Sequence, residues 1–164
     1  MKATIRTATL SDAGAITGIY NHYILNTVVT FEEQAIKTAD IRKRMKQVAG
    51  DALPWLVAES EGSVVGYAYA SKWKGRCAYR FSVESTVYLA EAAVGRGIGS
   101  GLYGVLLAEL RKRKLHVAVG GIALPNEASV RLHEKFGFEK TAYFKEIGYK
   151  FEKWIDVGYW QVTL

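Results

Sequence analysis

One cysteine, Cys77, in a chain of 164 residues leaves no partner for an intramolecular disulfide. A lone thiol of this kind points to a reducing compartment. Proline occurs only twice, too rarely for an extended or low-complexity segment. No stretch approaches 18 continuous apolar residues, so no membrane-spanning helix is expected. Lys2 and Arg6 stand near the start, but polar residues interrupt every apolar stretch behind them, and no signal-peptide core forms. The expected location is the cytoplasm. His22, His116 and His133 are scattered without HxxxH or CxxC spacing, so no metal site is expected. Lys and Arg form no stripe interleaved with exposed aromatics, which argues against nucleic acid as a partner.

What the chain does hold is enough for one core. Hydrophobic residues make up 49% and aromatics 12%, and no composition break, linker or repeat divides residues 1–164, so a single domain is expected. Lys plus Arg number 22 against 16 acids, a net +6 that suits an anionic ligand without naming it. Residues 3–7 read as a short strand. Ser11 can cap a helix reaching about Leu25, with Asp12 in its first turn. A loop carrying Val28, Val29 and Phe31 follows, then a helix from about Thr38 to Val48. Residues 55–60 and 63–71 read as a hairpin around Glu61-Gly62, and 79–90 as a long strand rich in Val, Thr, Tyr and Phe. A glycine-rich turn, Ala92 to Ser100, opens a helix to about Lys112 with Leu102, Leu106 and Leu110 as its core stripe. A strand over 116–123, a helix over 126–136 and closing strands over 138–147 and 150–163 complete a mixed α/β chain. Its strands, mostly adjacent in sequence, are expected to pair mainly antiparallel.

Four features carry chemistry. Gly95, Gly97 and Gly99 let backbone N–H groups converge ahead of a helix N-terminus, an anion site suited to a pyrophosphate, or else an ordinary tight turn. The overlapping GxGxxG at Gly99–Gly104 starts inside the expected helix and is not a dinucleotide fingerprint. Glu84 shares a strand face with Thr86 and Tyr88, opposite Val83, Ser85, Val87 and Leu89. Burial there would raise its pKa toward general-base duty, whereas a solvated face or salt bridge is the plainer reading. Asn126, Ser129 and His133 fall within a narrow arc of one helix, away from Arg131 and Lys135. Asn126 can instead serve as the helix cap, and His133 as a satisfied core histidine. Trp73-Lys74-Gly75-Arg76 sets two cations beside an aromatic, a clamp for a carboxylate or phosphinate, or a solvated turn. The run Arg111-Lys112-Arg113-Lys114 reads mostly as a solvated helix end.

With these residues in place, the chain resembles the GNAT acetyltransferase superfamily, and within it the phosphinothricin acetyltransferase group. The resemblance covers nearly the whole chain and rests on Glu84–Tyr88, Gly97–Tyr103, Leu124–Glu134 and Trp154–Gln161, with Trp73–Arg76 and Tyr79 on the substrate side. One position departs: Val94 stands where the superfamily's acetyl-CoA loop usually begins with Gln or Arg. The resemblance implies a GNAT fold, a central, mostly antiparallel twisted sheet flanked by helices. It also implies acetyl-CoA as cosubstrate, no metal, and a small amino-acid-like acceptor such as phosphinothricin, methionine sulfoximine or methionine sulfone. The pyrophosphate would rest on the backbone of Val94, Gly95, Arg96, Gly97, Ile98, Gly99 and Ser100. Thr86, Val87, Tyr88 and Leu89 would pair with the pantetheine arm, with Asn126 and Ser129 supporting it. Glu84 would take the proton of the attacking ammonium, and His133 would protonate the departing thiolate or share the base role. Phe31, Trp73, Lys74, Arg76 and Tyr79 would receive the acceptor. A homodimer is implied, with Trp154 and Trp160 near an interface or in the core. Transfer to peptide N-termini or other small amines, and acyl-CoA binding without turnover, are the alternatives.

Overall fold

In the computed structural model, residues 2–164 are described. Seven strands and four helices follow one another as β1 (Thr4–Thr7), α1 (Ala13–Asn26), α2 (Thr38–Gly50), β2 (Trp55–Ser60), β3 (Ser63–Lys72), β4 (Ser82–Leu89), α3 (Ile98–Lys112), β5 (Val117–Leu124), α4 (Glu127–Lys135), β6 (Glu139–Lys150) and β7 (Lys153–Thr163). The sheet order is β1-β2-β3-β4-β5-β7-β6. Five of its six pairings are antiparallel, and β4–β5 alone is parallel. The expected mixed α/β architecture is therefore present, with β7 slotted between β5 and β6.

Local sequence explains most elements. The β2–β3 hairpin turns on Glu61 and Gly62, both in the left-handed region at φ 51° and 75°, as the tightest two-residue turns require. Along β2 the side chains alternate between two cores. Leu56 and Ala58 join Leu102, Leu106 and Leu110 of α3 on one face. Trp55 and Val57 join Ile16, Ile24, Ile41 and Met45 of α1 and α2 on the other. The leucine stripe of α3 is fully buried, and truncating any one of those leucines to alanine removes about 2–5 kcal/mol.

Two expected boundaries move. Ser11 does not cap α1: a short 3₁₀ turn, Leu10–Asp12, precedes the helix. There the Asp12 carboxylate accepts from the Thr9 backbone N–H at 2.7 Å. Arg6 holds that carboxylate in place at 2.9 Å and pulls its pKa down to about 2. The strand expected from residue 79 begins at Ser82, because its ladder partners start only there: Val83 faces Lys72, and Ser82 faces Val117. Cys77–Tyr79, lacking such partners, closes into a 3₁₀ turn. Among the described residues, no helix is long and apolar enough to cross a membrane.

Candidate active site

The site begins where two strands part. β4 and β5 are in register for only three pairs, Ser82 with Val117, Val83 with Ala118 and Glu84 with Val119. Beyond Glu84 the strands separate, so the β5-side main chain of Thr86–Leu89 has no strand partner. A cleft of about 930 Å³ opens in that gap. It brings together many residues singled out from the sequence: Glu84, Thr86, Val87, Tyr88, Leu89, Val94, Gly95, Gly97, Gly99, Ser100, Asn126, Ser129 and His133 all line it.

At one end lies the glycine turn. Gly95 and Gly97 take φ 76° and 79°, and Gly97 caps α3 directly. Residues with a Cβ rarely adopt this conformation, which turns successive N–H groups toward the helix N-terminus. Arg96 and Ile98 belong to this turn but not to the cleft lining, and the Ile98 side chain is buried in the α3 core. Val94 is half exposed in the lining and leaves only its main chain for polar contact.

The middle of the cleft passes through the sheet. Consecutive glycines of β5 face opposite ways. A Cβ on Gly121 would lie 3.4 Å from Oε1 of Glu84 and 3.0 Å from the Tyr159 ring, whereas one on Gly120 would collide with the His133 ring. Glu84 and His133 therefore stand on opposite faces and meet only through the gap. Glu84 is mostly buried, and burial raises its carboxyl pKa, a shift that the charge of Lys74 opposes. Ser85, on the other face, hydrogen-bonds Tyr103 at 2.7 Å, as strand alternation predicts.

His133 is 3% exposed and wedged between the rings of Tyr103 and Phe138, at centroid distances of 5.0 and 5.1 Å. Its Nδ1 lies 2.8 Å from the Ser129 carbonyl oxygen. A carbonyl only accepts, so Nδ1 carries the proton and Nε2 is a bare acceptor. Nε2 is buried without a partner, and burial lowers the ring's pKa. Asn126 is indeed the cap of α4: its Oδ1 accepts from the Ser129 N–H at 3.1 Å, leaving its amide nitrogen available.

The residues expected to receive an acceptor fall outside the cleft lining. Trp73 and Lys74 line a neighbouring pocket with Arg44, Asp51, Tyr69 and Ser71. It adjoins the cleft, because Ser71 sits directly opposite Glu84. Lys74 lies 4.8 Å over the Trp73 ring, and that ring meets Tyr159 edge-on at 5.5 Å. Arg76 and Tyr79 are exposed in the turn before β4. Phe31 packs instead on Gly148 of β6, where a Cβ would lie 2.5 Å from its Cε2. Trp160 belongs to the core, whereas Trp154 is 65% exposed. Sequence reasoning missed Tyr23, whose hydroxyl donates to the Leu89 carbonyl at 2.8 Å, and Thr30, buried with its hydroxyl 2.8 Å from that of Tyr20. Adjacent glycines inside a strand mark a close approach and could have drawn attention to Gly120-Gly121. Among the described residues, no group of three or more His, Cys, Asp or Glu could hold a metal ion.

Comparisons with known proteins agree with this fold. The sequence profile described as "Acetyltransferase (GNAT) domain" matches residues 5–158. A phosphinothricin N-acetyltransferase of Streptomyces viridochromogenes is 42% identical over 96% of this chain and 85% of that protein. An L-methionine sulfoximine/L-methionine sulfone acetyltransferase of Salmonella typhimurium is 39% identical over 98% of this chain and 94% of its own length. The crystal structure of a GNAT superfamily phosphinothricin acetyltransferase from Sinorhizobium meliloti in complex with AcCoA superposes with a TM-score of 0.97 at 37% identity, covering 100% of this chain and 89% of that one.

Proposed function

We propose that this chain, which belongs to the GNAT acetyltransferase family, moves the acetyl group of acetyl-CoA to the α-amino group of a small amino-acid-like acceptor. Phosphinothricin, methionine sulfoximine and methionine sulfone are the acceptors of choice, by analogy with the relatives that carry those names. The observation that carries this reading is the through-sheet cleft, with a phosphate-type glycine turn at one end and a buried carboxylate at the other.

The residues present fit acetyl-CoA. Backbone N–H groups at Gly95–Gly99 suit a pyrophosphate. The unpaired edge of Thr86–Leu89 offers main-chain partners to an extended amide-bearing arm, and the Asn126 amide nitrogen, not used by the capping bond, offers a donor. The thioester supplies an activated acetyl carbon, so the protein's task is to position it and to remove a proton from the amine. Glu84 serves as that base: burial keeps its carboxylate basic, and proton transfer by a positioned carboxylate contributes about 10²–10⁴ in rate. Lys74 and Arg76 supply positive charge for the acceptor's acidic end beside Trp73 and Tyr79, and Phe31 borders the same side. The reading extends to a cytoplasmic homodimer of one catalytic domain per chain. Tyr143, Phe144, Ile147, Tyr149 and Trp154 are exposed apolar side chains clustered on β6 and β7, where such residues can serve a protein contact.

The test is free-thiol release from acetyl-CoA with these three acceptors, ordinary amino acids and peptides. Turnover with phosphinothricin or the sulfoximine, absent for peptides, is the expected result. Acetyl-CoA binding with turnover only on peptides would overturn the acceptor assignment.

A further inference from the structure

We propose that Lys150, which lies outside the cleft lining, is a positioning residue whose ammonium holds the Val29–Glu32 segment as the acceptor-side wall of the cleft. Lys150 is 1% exposed, unusual burial for a lysine. Its Nζ donates to the Thr30 carbonyl oxygen at 2.8 Å, across 120 residues of sequence. Thr30 and Val29 line the cleft. The Thr30 hydroxyl hydrogen-bonds the Tyr20 hydroxyl at 2.8 Å, and the Tyr20 ring stands edge-on to Tyr88 of β4 at 5.2 Å. Glu32, two residues on, accepts from Arg44 of α2 at 3.1 and 2.5 Å. Between them, Phe31 lies against Gly148 of the same strand as Lys150. The segment is thus tied to α1, to α2 and to β6, and Lys150 makes the hydrogen bond of the third tie.

Burying an ammonium is costly, and one carbonyl with the nearby Glu32 and Glu33 carboxylates repays it only in part. A methionine would fill the same space without that penalty. What the cation adds is direction: a hydrogen bond fixes where the Thr30 carbonyl points, which an apolar contact does not. The adjoining turn also holds Lys150 inward at a cost. Phe151 and Glu152 lie in the left-handed region at φ 51° and 59°, and a bulky residue rarely adopts it. The Phe151 ring centre is 5.0 Å from Nζ.

This inference rests on the reading that the Glu84 side of the cleft takes the amine, and two measurements separate them. In Lys150→Met, amide exchange of Val29, whose N–H is held by the Thr27 hydroxyl, is expected to accelerate about tenfold, the worth of one lost charged hydrogen bond. The acceptor KM should rise by a similar factor while the Kd for acetyl-CoA stays within about twofold. Unchanged exchange together with unchanged KM overturns the proposal. So does equal weakening for acceptor and acetyl-CoA, which a general loss of structure would produce. If Lys150→Met does not fold, Glu32→Gln loosens the same segment at its α2 tie and is read by the same two measurements; unchanged values there overturn the proposal. A wild-type chain that acetylates no amino acid refutes the function, and amide exchange then decides on Lys150 alone.

Discussion

Replacing Gly120 by alanine tests whether His133 is locked as described. The added methyl would sit 2.5 Å from Cδ2 of the imidazole, and closer still to Nε2. Ordinary carbon contacts need about 3.5–4.0 Å, so the ring must retreat by about 1 Å. Little room is available. Tyr103 and Phe138 flank the ring, and Tyr103 and Phe138 are themselves buried. Retreat also stretches the 2.8 Å hydrogen bond from Nδ1 to the Ser129 carbonyl. Overpacking costs about 1–3 kcal/mol and a lost hydrogen bond about 0.5–1.5 kcal/mol. The sum, about 1.5–4.5 kcal/mol, lowers Tm by roughly 3–18 °C in a domain of this size. Thermal unfolding with and without acetyl-CoA measures it. A double-mutant cycle with His133→Ala isolates the contact, because the methyl then enters vacated space and the Gly120→Ala penalty should mostly vanish. An unchanged Tm in Gly120→Ala, or the same penalty with and without the imidazole, would refute the packing argument.

The pH behaviour of Glu84 follows from its burial. Its raised pKa places the acid limb of kcat/KM above the usual carboxylate range. Lys74→Met, which removes the opposing charge, should move that limb to still higher pH; an unmoved limb would separate Lys74 from the base. Stability changes with the opposite sign. A carboxyl whose folded pKa is raised contributes stability below its unfolded value of 4.5 and loses it as pH rises through the folded value. Glu84→Gln should therefore melt higher than wild type at neutral pH, with the difference closing toward pH 4.5, while kcat falls about 10²–10⁴-fold. Gly97→Ala meets no atom within 4 Å but must hold φ 79°. About 1–2 kcal/mol of backbone strain is expected, or roughly 2–8 °C in Tm, with weaker acetyl-CoA binding by calorimetry. A stable variant with unchanged affinity would show that the turn's conformation is not what makes the anion site.

What could be read in advance was local. The Glu61-Gly62 hairpin, the leucine stripe of α3, the two faces of β4 and the Asn126 cap all follow from neighbours a few residues apart, where period and cap chemistry act. The parting of β4 and β5 does not. It depends on which strand β4 meets after a helix of 15 residues, and no local pattern encodes where a parallel register stops. The insertion of β7 between β5 and β6 is hidden for the same reason, since 138–163 reads as a plain hairpin. The loop after α1 was illegible in another way. Phe31 looks like a pocket residue by type, and only the missing Cβ of Gly148, 117 positions later, shows that its ring seats against β6 at the border of the cleft lining.

The two groups proposed to handle protons become distinguishable only once their faces are known. The family resemblance alone leaves open whether His133 protonates the thiolate or shares the base role with Glu84. Alternation along β5 denies them a common face, and the Ser129 carbonyl fixes the imidazole proton on Nδ1, away from its bare Nε2. Burial disfavours the imidazolium that a proton donor would need to be, and raises the affinity of Glu84 for a proton. The same physical cause therefore pushes the two groups toward different tasks. A neutral His133 packs with its bare Nε2 enclosed against Gly120 on the α3–α4 side of the sheet. Glu84 can take a proton from an amine on the α1–α2 side. Because the cleft joins those sides only beyond the last β4–β5 pair, the proposed function would have an acetyl group and an amine, approaching from opposite faces, meet in that gap beside Glu84.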